Sequence, residues 1–362
     1  MREGMRLTAY VGDRDRVEGR LLADVLLDCY ARHGVRSSVL LRGIEGFGIK
    51  HRLASERLLT LSEDLPLLAL AVDTPERIDA VLAEILPLTG DGTITLERAR
   101  LLDGDDLGTP LEPGSDAVKL TVYVGRQERI GTKPAYMEIV ECLHRHGVAG
   151  ASVLLGLDGT VHGVRRRARF LARNAQVPMM IQSVGEAHTI AAAIAELSGS
   201  LGANRPATTL ERVLVCKRDG QRLAEPLAPP EADAAGRGYW QKLVVYSSER
   251  SRHQGEPLHS ALVRRLRREG AAGATVLRGQ WGYHGDHAPH GEAFWSLARS
   301  VPVLTVLLDT PENMGRWFEI VDELTEETGL VTSELVPALR ATGPGIEHGG
   351  LELAERHGGS PG

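Results

Sequence analysis

Apolar positions along this chain follow strand-like and helix-like spacings in a fixed order. Residues 7–11 alternate between apolar and polar side chains, as in a strand, whereas the apolar residues of 21–29 recur every three to four positions, as in a helix. The complete series is strand 7–11, helix 21–34, strand 37–42, strand 65–72, helix 75–85 and strand 93–102. This order predicts the α+β class and, within it, a ferredoxin-like βαββαβ unit.

The same pattern occurs three times. Tyr10, Tyr123 and Tyr246 mark equivalent positions, offset by 113 and then by 123 residues. Each copy of about 100 residues is long enough to enclose its own core, so we predict three domains rather than a solenoid. The predicted boundaries are 5–103 for repeat 1, 118–217 for repeat 2 and 239–340 for repeat 3, with linkers at 104–117 and 218–238 and a disordered tail at 341–362.

The third strand of each repeat bears on assembly. Residues 65–72 and 301–308 carry apolar side chains on both alternating faces. Two helices cover only one face of a four-stranded sheet, so another element must cover the second face. We predict that the sister repeats do so, packed sheet to sheet about a pseudo-threefold axis. The chain would then be a monomer with the internal symmetry of a trimer.

Composition narrows the functional class. The net charge is −6 and aromatic residues make up 4% of the chain, which argues against a nucleic-acid partner. No apolar run reaches the roughly 20 residues that span a bilayer, and we expect a cytoplasmic protein. Cys29, Cys142 and Cys216 show no C-x-x-C spacing. Cys29 and Cys142 occupy equivalent apolar helix positions, which favours buried small hydrophobes over a redox pair.

Three short segments of repeat 1 carry a resemblance to a known family. They are 42–48 (RGIEGFG), 61–66 (LSEDLP) and 73–76 (DTPE), together with Leu58. In these segments repeat 1 is similar to the domain of unknown function 190 family, which is grouped with the PII-like signalling proteins. The resemblance implies a ferredoxin-like fold and a trimer whose small-molecule ligands bind in clefts between subunits. Some relatives resemble accessory domains linked to fluoride exporters.

The candidate ligand site follows the second strand of repeat 1. Its glycines permit close backbone approach to an anion, and cationic side chains flank them. The candidate residues are Arg42, Gly43, Gly46, Gly48, Lys50, His51 and Arg52. The alternative is a flexible turn between strands. In the PII-like proteins this position begins a long ligand-responsive loop, and the resemblance therefore favours the binding interpretation.

The other copies of this segment have diverged. Repeat 2 has Leu155 in place of the arginine, whereas repeat 3 keeps Arg278, Gly279 and Gly282 as further candidate ligand-binding residues. A histidine-rich stretch follows in repeat 3, and His284, His287 and His290 are weak candidates for a metal site, with a solvated polar loop as the default interpretation.

No catalytic motif supports an enzyme. The sequence contains no G-x-S-x-G elbow, no H-E-x-x-H and no P-loop. We therefore expect a regulatory protein that binds a small anionic metabolite, such as an adenine nucleotide, in clefts between repeats. The loop after the second strand would relay binding to a partner protein. The alternative is a ligand-independent adaptor or accessory protein for a membrane transporter.

Overall fold

The computed structural model describes residues 2–48, 53–55, 64–102, 117–167, 177–200, 205–227, 232, 236–284, 289–291, 301–325, 329–343 and 346–355. Within these ranges lie six helices and a large antiparallel sheet to which all three repeats contribute. The predicted α+β class is confirmed.

Repeat 1 contains a four-stranded antiparallel sheet and two helices. Its elements are β1 (Arg2–Gly12), β2 (Arg16–Val17), β3 (Arg20–Leu21), α1 (Leu22–Arg32), β4 (Ser37–Phe47), β5 (Ala54–Ser55), β6 (Pro66–Asp73), α2 (Pro75–Ile85) and β7 (Gly92–Leu102). The four main strands pair in the order β4, β6, β1, β7, so the first and third strands are central. Pro75 begins α2, where its missing N–H removes no helical hydrogen bond.

Repeats 2 and 3 repeat this arrangement. Repeat 2 comprises β8 (Ala117–Gly125), β9 (Arg129–Ile130), β10 (Lys133–Pro134), α3 (Ala135–Arg145), β11 (Gly150–Leu155), β12 (Asp158–Val161), β13 (Val164–Arg165), β14 (Pro178–Gly185), α4 (Ala187–Ser200), β15 (Ala207–Arg218) and β16 (Gln221–Arg222). Repeat 3 comprises β17 (Trp240–Ser248), β18 (Arg252–His253), β19 (Glu256–Pro257), α5 (Leu258–Glu269), β20 (Gly273–Arg278), β21 (Trp281–His284), β22 (His290–Gly291), β23 (Pro302–Asp309), α6 (Pro311–Leu324) and β24 (Leu330–Val336). The main strands again pair in the order second, third, first, fourth.

The apolar residues form one core per repeat and a further core between the repeats. In each repeat the helices pack on one face of the sheet, and side chains such as Leu7 and Ile78 are fully buried there. The opposite faces meet in a common cluster to which Leu68, Met180 and Leu304 contribute from the three third strands. The prediction that sister repeats cover the second face of the third strand is therefore correct.

The fourth strands join the three repeats into a closed ring. The end of β7 pairs with the start of β15 at Leu101 and Thr209, and the end of β15 pairs with the start of β24 at Leu214 and Ser333. After Pro337 the chain continues as β25 (Ala338–Gly343), which pairs with the start of β7. The ring of strand pairings thus closes between the last repeat and the first.

This closure corrects the predicted disordered tail. Residues 341–343 belong to β25, which forms a hairpin with β26 (Ile346–Gly350). The Ala354 amide then donates to the Pro337 carbonyl at 2.9 Å, and Leu351 and Leu353 pack against the core of repeat 1. The segment has no apolar period because backbone pairing with another strand and two leucines, rather than a periodic apolar face, hold it in place. Residues 356–362 lie outside the described part of the chain.

The second strands also pair across repeat boundaries, and this corrects the predicted glycine-rich loop. β4 extends to Phe47, five residues beyond the predicted end, and its residues Gly43 to Phe47 pair with β20 of repeat 3. In the same way β21 pairs with β11, and β12 pairs with β4. Gly43 and Gly46 therefore lie in a strand between two repeats.

Candidate functional site

A cleft of about 390 Å³ lies between repeats 1 and 3. Repeat 1 supplies the end of β1, the end of β4 and the start of β7, and repeat 3 supplies the starts of β17 and β20 and part of β23. The hairpin of β25 and β26 forms a further wall. The described lining residues are Tyr10, Val11, Gly12, Asp15, Gly46, Phe47, Gly48, Leu53, Ala54, Asp64, Pro66, Asp91, Gly92, Thr93, Trp240, Ala272, Gly273, Ala274, Thr275, Val306, Leu308, Leu339, Ala341, Thr342 and His348.

Backbone-lined walls give the cleft its shape. A Cβ atom on Gly46 would lie 2.6 Å from the Ala274 carbonyl oxygen, so the neighbouring strand approaches only because that atom is absent. Gly92 has φ of +141° and lies against the Tyr10 carbonyl. At Gly48, by contrast, a Cβ atom would meet no atom of the described residues within 4 Å. Gly46 is therefore needed for the contact between repeats, and Gly48 is free of that constraint.

The described side chains of the cleft carry negative charge. Asp15, Asp64 and Asp91 line it, and no lysine or arginine does so within the described ranges. Two of these carboxylates already accept main-chain hydrogen bonds, Asp15 from Gly12 at 2.7 Å and Asp64 from Arg14 at 2.9 Å. Burial raises the pKa of Asp64, an effect that the hydrogen bond from Arg14 opposes.

The predicted cations of repeat 1 are not assembled around this cleft in the described structure. Arg42 donates to Asp13 at 2.6 Å and is half-exposed outside the cleft lining. Lys50, His51 and Arg52 lie outside the described residues. Of the predicted set, Gly46 and Gly48 contribute to the cleft, whereas Gly43 packs against Pro66 and Thr275.

The candidate residues of repeat 3 lie at a different boundary, between repeats 3 and 2. Gly279 packs against Pro302 and the Val153 carbonyl of repeat 2. Gly282 has φ of +150°, and a Cβ atom there would lie 2.2 Å from the Ala151 carbonyl oxygen. Arg278 forms an ion pair with Glu249 at 3.4 Å. These glycines, like Gly43 and Gly46, serve the contact between repeats.

The histidine-rich stretch is only partly described. His284 ends β21, and its Nε2 lies 2.8 Å from Oδ1 of Asp219. The backbone of His290 belongs to β22, but its side chain and all of His287 lie outside the described residues. The described residues do not test the three histidines as weak metal candidates, and a solvated polar loop stays the default prediction for this stretch.

A closed ring of buried charges lies where the three sheets meet. It alternates three cations, Arg6, Lys119 and Lys242, with three carboxylates, Glu97, Glu211 and Glu334, and all six residues are buried. The cations occupy equivalent positions four residues before Tyr10, Tyr123 and Tyr246, and the carboxylates occupy equivalent positions in the fourth strands. We call these six residues the ion ring.

Each cation of the ion ring bridges its own repeat and the next. Arg6 lies 2.6 Å from Glu97 and 2.8 Å from Glu211, and Lys119 lies 2.7 Å from Glu211 and also contacts Glu334. Lys242 lies 3.0 Å from Glu334 and contacts Glu97, which closes the ring. Burial alone would favour a neutral Glu97, but Arg6 and Lys242 outweigh it and hold the pKa of Glu97 far below its ordinary value.

Tyr10 connects the cleft with the ion ring. It lines the cleft and is partly exposed, whereas the equivalent Tyr123 and Tyr246 are buried. Burial raises the pKa of Tyr10 to about 12, and Lys242 acts on the same hydroxyl in the opposite direction. A ligand in this cleft would therefore contact a side chain that also borders the ion ring.

Comparison with known proteins settles the family. The model of DUF190, described as an uncharacterized ACR family, matches three segments, 4–101, 117–215 and 240–338, which together make up more than half of the chain. The chain belongs to the DUF190 family. The predicted resemblance and the three tandem copies are thus confirmed.

Curated DUF190-like relatives are about one repeat long. A UPF0166 protein of Aquifex aeolicus is 29% identical over 97 residues, which cover 27% of this chain and 90% of the relative. A UPF0166 protein of Methanocaldococcus jannaschii is 30% identical over 89 residues, 25% of this chain and 82% of the relative. Among solved structures, an aspartate kinase from Synechocystis aligns with 95% of this chain and 45% of its own, at 12% identity and a TM-score of 0.27. A similarity that low carries no argument about fold or activity.

The sequence did not predict most of the residues that form the cleft and the ion ring of this DUF190 protein. Trp240, Asp91 and His348 line the cleft without belonging to any motif. The ion ring had a signal, because a charged residue recurs at one register in all three first strands. Among the described residues, no helix is both long and apolar enough to cross a membrane.

Proposed function

We propose that this chain is a PII-like regulatory protein built as a pseudo-trimer of three ferredoxin-like repeats, with a small anionic metabolite bound in the cleft between repeats 1 and 3. The strand order of each repeat, with both helices on one face, supports the ferredoxin-like unit. The cyclic pairing of the fourth strands and the ion ring support threefold pseudosymmetry.

The observation that carries the proposal is the position of the cleft. It lies at a repeat boundary and includes Gly48, Leu53 and Ala54, which flank segment 49–52. Its volume of about 390 Å³ is within the ordinary range for small-molecule sites. A ligand held there contacts both ends of the segment that follows β4. Binding would thereby be coupled to the conformation of that segment, which we propose as the surface read by a partner protein in the cytoplasm.

An adenine nucleotide is the ligand we propose. The lining combines aromatic side chains, Tyr10, Phe47 and Trp240, with backbone polar groups, a combination suited to a flat heterocycle. The described lining offers no lysine or arginine, so we assign the phosphates to the side of the cleft that Gly48 and Leu53 form, because Lys50 and Arg52 lie between these two residues in the sequence. The carboxylates of Asp15 and Asp64 already accept main-chain hydrogen bonds, which lessens their repulsion of an anion.

Calorimetric titration of the full chain with ATP, ADP, AMP and inorganic phosphate tests the proposal. Trp240→Ala should weaken nucleotide binding, and Lys50→Ala or Arg52→Ala should each weaken it roughly 10- to 100-fold, as expected for one charge-assisted hydrogen bond. Arg278→Ala is the matched control, since this arginine lies at the boundary between repeats 3 and 2. An equal loss of affinity in Arg278→Ala would indicate that the ligand binds at the boundary between repeats 3 and 2 instead. Absence of binding by every ligand would favour the ligand-independent adaptor for a transporter.

A further inference from the structure

Two equivalent side-chain clusters join the paired helices of repeats 1 and 2. Cys29 lies in α1, His33 follows its last turn and Glu84 lies in α2, and their ligand atoms are all within 4.8 Å of one another. In repeat 2, Cys142, His146 and Glu196 form the same arrangement between α3 and α4. Neither cluster shares a residue with the cleft lining, and both lie between the helices of their repeats.

The three positions are kept together or lost together among the repeats. Repeat 3 has Arg265, Glu269 and Ile320 at the equivalent positions, so it lacks the cysteine, the histidine and the carboxylate at once. There Arg265 and Glu269 form an ordinary ion pair along α5 at 3.3 Å. Three positions that served separate packing roles would have no reason to change as a set. Joint retention points to one shared task for the three side chains.

Hydrogen bonds already hold the imidazole and the carboxylate of each cluster next to each other. Nε2 of His33 lies 2.8 Å from Oε2 of Glu84, and the corresponding atoms of His146 and Glu196 lie 2.6 Å apart. The second oxygen of each carboxylate contacts an arginine, Arg32 or Arg145, which orients it. The proton between imidazole and carboxylate therefore occupies the position that a cation would take, and such outer partners are typical of metal sites.

We propose that Cys29, His33 and Glu84 bind one zinc ion and that Cys142, His146 and Glu196 bind a second. Thiolate sulfur, imidazole nitrogen and carboxylate oxygen are the ligands that zinc takes in proteins, in tetrahedral geometry. In tetrahedral geometry, zinc–nitrogen and zinc–oxygen bonds of about 2.0–2.2 Å place the two ligand atoms about 3.3–3.6 Å apart, so the His33 and Glu84 atoms, now 2.8 Å apart, need to separate by roughly half an ångström or slightly more. The histidine and the glutamate of each cluster are partly exposed, which leaves the fourth position to water.

The buried cysteines gain a role from this assignment. Cys29 and Cys142 are buried free cysteines, and each supplies the sulfur ligand of its cluster from the interior of the repeat. Cys216 is also buried and free, but it belongs to neither cluster. It supplies a matched control for the effect of replacing a buried thiol.

Titration of the metal-free full chain with Co²⁺, a spectroscopic substitute for zinc, tests the proposal. We expect near-ultraviolet thiolate-to-cobalt absorption that saturates at two equivalents per chain. Cys29→Ser and Cys142→Ser should each remove half of this absorption, and the double variant should remove all of it. Cys216→Ser should leave it unchanged. Zinc added after cobalt should abolish the absorption by displacement.

Variants that keep both thiols distinguish a loss of metal binding from a loss of folding. Glu84→Gln retains a hydrogen-bonding side chain at a half-exposed position, so a folded variant with at least tenfold weaker cobalt binding in repeat 1 supports the site. Replacement of His284, His287 and His290 together by alanine should not change the thiolate band, because that stretch contains no cysteine. Absence of the band in the unmodified chain overturns the proposal. Its persistence in the double cysteine variant does so as well.

Discussion

Nη1 of Arg6 lies 2.8 Å from Oε1 of Glu211, although 205 residues separate them along the chain. The contact joins repeat 1 to repeat 2, and the equivalent contacts of Lys119 and Lys242 join repeat 2 to repeat 3 and repeat 3 to repeat 1. A buried charge is tolerated only when it is paired, so each repeat needs the next one in a fixed cyclic order. The ion ring thus specifies how the three sheets meet.

Removing one carboxylate of the ion ring should strongly destabilise the fold. Glu97→Gln leaves Arg6 and Lys242 buried with one compensating charge fewer. We expect a loss of about 3–5 kcal/mol in the free energy of unfolding, the usual effect of breaking a buried ion pair. Chemical denaturation measures it. Glu347→Gln, which removes an exposed partner of Arg340, is the control and should cost no more than about 1 kcal/mol. Equal losses in the two variants would show that the ion ring does not hold the repeats together.

The ion ring also predicts how stability depends on pH. Burial disfavours the charged form of Glu97, but Arg6 and Lys242 hold its pKa far below the ordinary value of about 4.3. The unfolded chain therefore binds a proton that the folded chain does not, and the stabilisation present above about pH 5 is lost as the pH falls toward that low pKa.

Denaturation of the unmodified chain and of Glu97→Gln between pH 6 and pH 3 checks this expectation. The free energy of unfolding of the unmodified chain should fall more steeply with acid, by up to about 1.4 kcal/mol per pH unit for this one group. Parallel curves for the two proteins would mean that Glu97 has an ordinary pKa in the folded state.

The sequence alone was enough to predict the fold class and the burial of both faces of the sheets. Apolar residues on both faces of 65–72 required a second covering surface, and the structure supplies it in the cluster that includes Leu68 and Leu70. The ion ring was missed because one charged residue in a strand is usually read as part of an exposed face. Only the recurrence of the charge at Arg6, Lys119 and Lys242 distinguishes this case.

The glycines show where sequence reasoning fails. The absence of a side chain at Gly43 and Gly46 lets a strand of another repeat approach closely, and a bound anion would require the same absence. Strand pairing and anion binding therefore produce the same pattern of glycines in the sequence. The C-terminal hairpin was missed for a related reason, since pairing between backbones leaves no periodic trace in the side chains. The glycine-containing strand and the C-terminal hairpin both depend on contacts between repeats, and a local sequence pattern does not reveal such contacts.

Gly46 and Gly48 separate the structural role from the binding role. In Gly46→Val, the new Cβ would lie 2.6 Å from the rigid Ala274 carbonyl oxygen, so we expect a loss of about 1–3 kcal/mol in the free energy of unfolding. At Gly48, by contrast, a Cβ atom would meet no described atom within 4 Å, so Gly48→Val should leave stability almost unchanged. Denaturation of the two variants is a matched comparison. Similar stability in both would contradict the tight strand contact at Gly46.

The full chain should be monomeric in solution. The fourth strands close a ring within one chain, and the second faces of the three sheets already cover one another. No further copy is needed to bury these surfaces. Light scattering coupled to gel filtration should therefore give the mass of one chain over a wide concentration range, and an obligate trimer of full-length chains would contradict this expectation.

The C-terminal hairpin should control access to the cleft. Gly349 adopts φ of +74°, and a Cβ atom there would lie 2.0 Å from the Leu339 carbonyl oxygen on the paired strand. Gly349→Ala therefore adds backbone strain and a steric clash that β25 and β26 relieve only by separating. We expect faster amide hydrogen exchange at 338–350 and a wider opening beside Trp240, because the hairpin forms one wall of the cleft.

Gly350→Ala is the matched control for this last prediction, since its Cβ atom would meet nothing within 4 Å. Hydrogen exchange monitored by mass spectrometry should show rapid exchange at 338–350 in Gly349→Ala alone, with the helices unaffected. Acrylamide should also quench the fluorescence of Trp240 more readily in that variant, and Trp240→Phe identifies the part of the signal that belongs to this residue. Unchanged exchange in Gly349→Ala would show that the hairpin is not held by the close contact between Gly349 and Leu339.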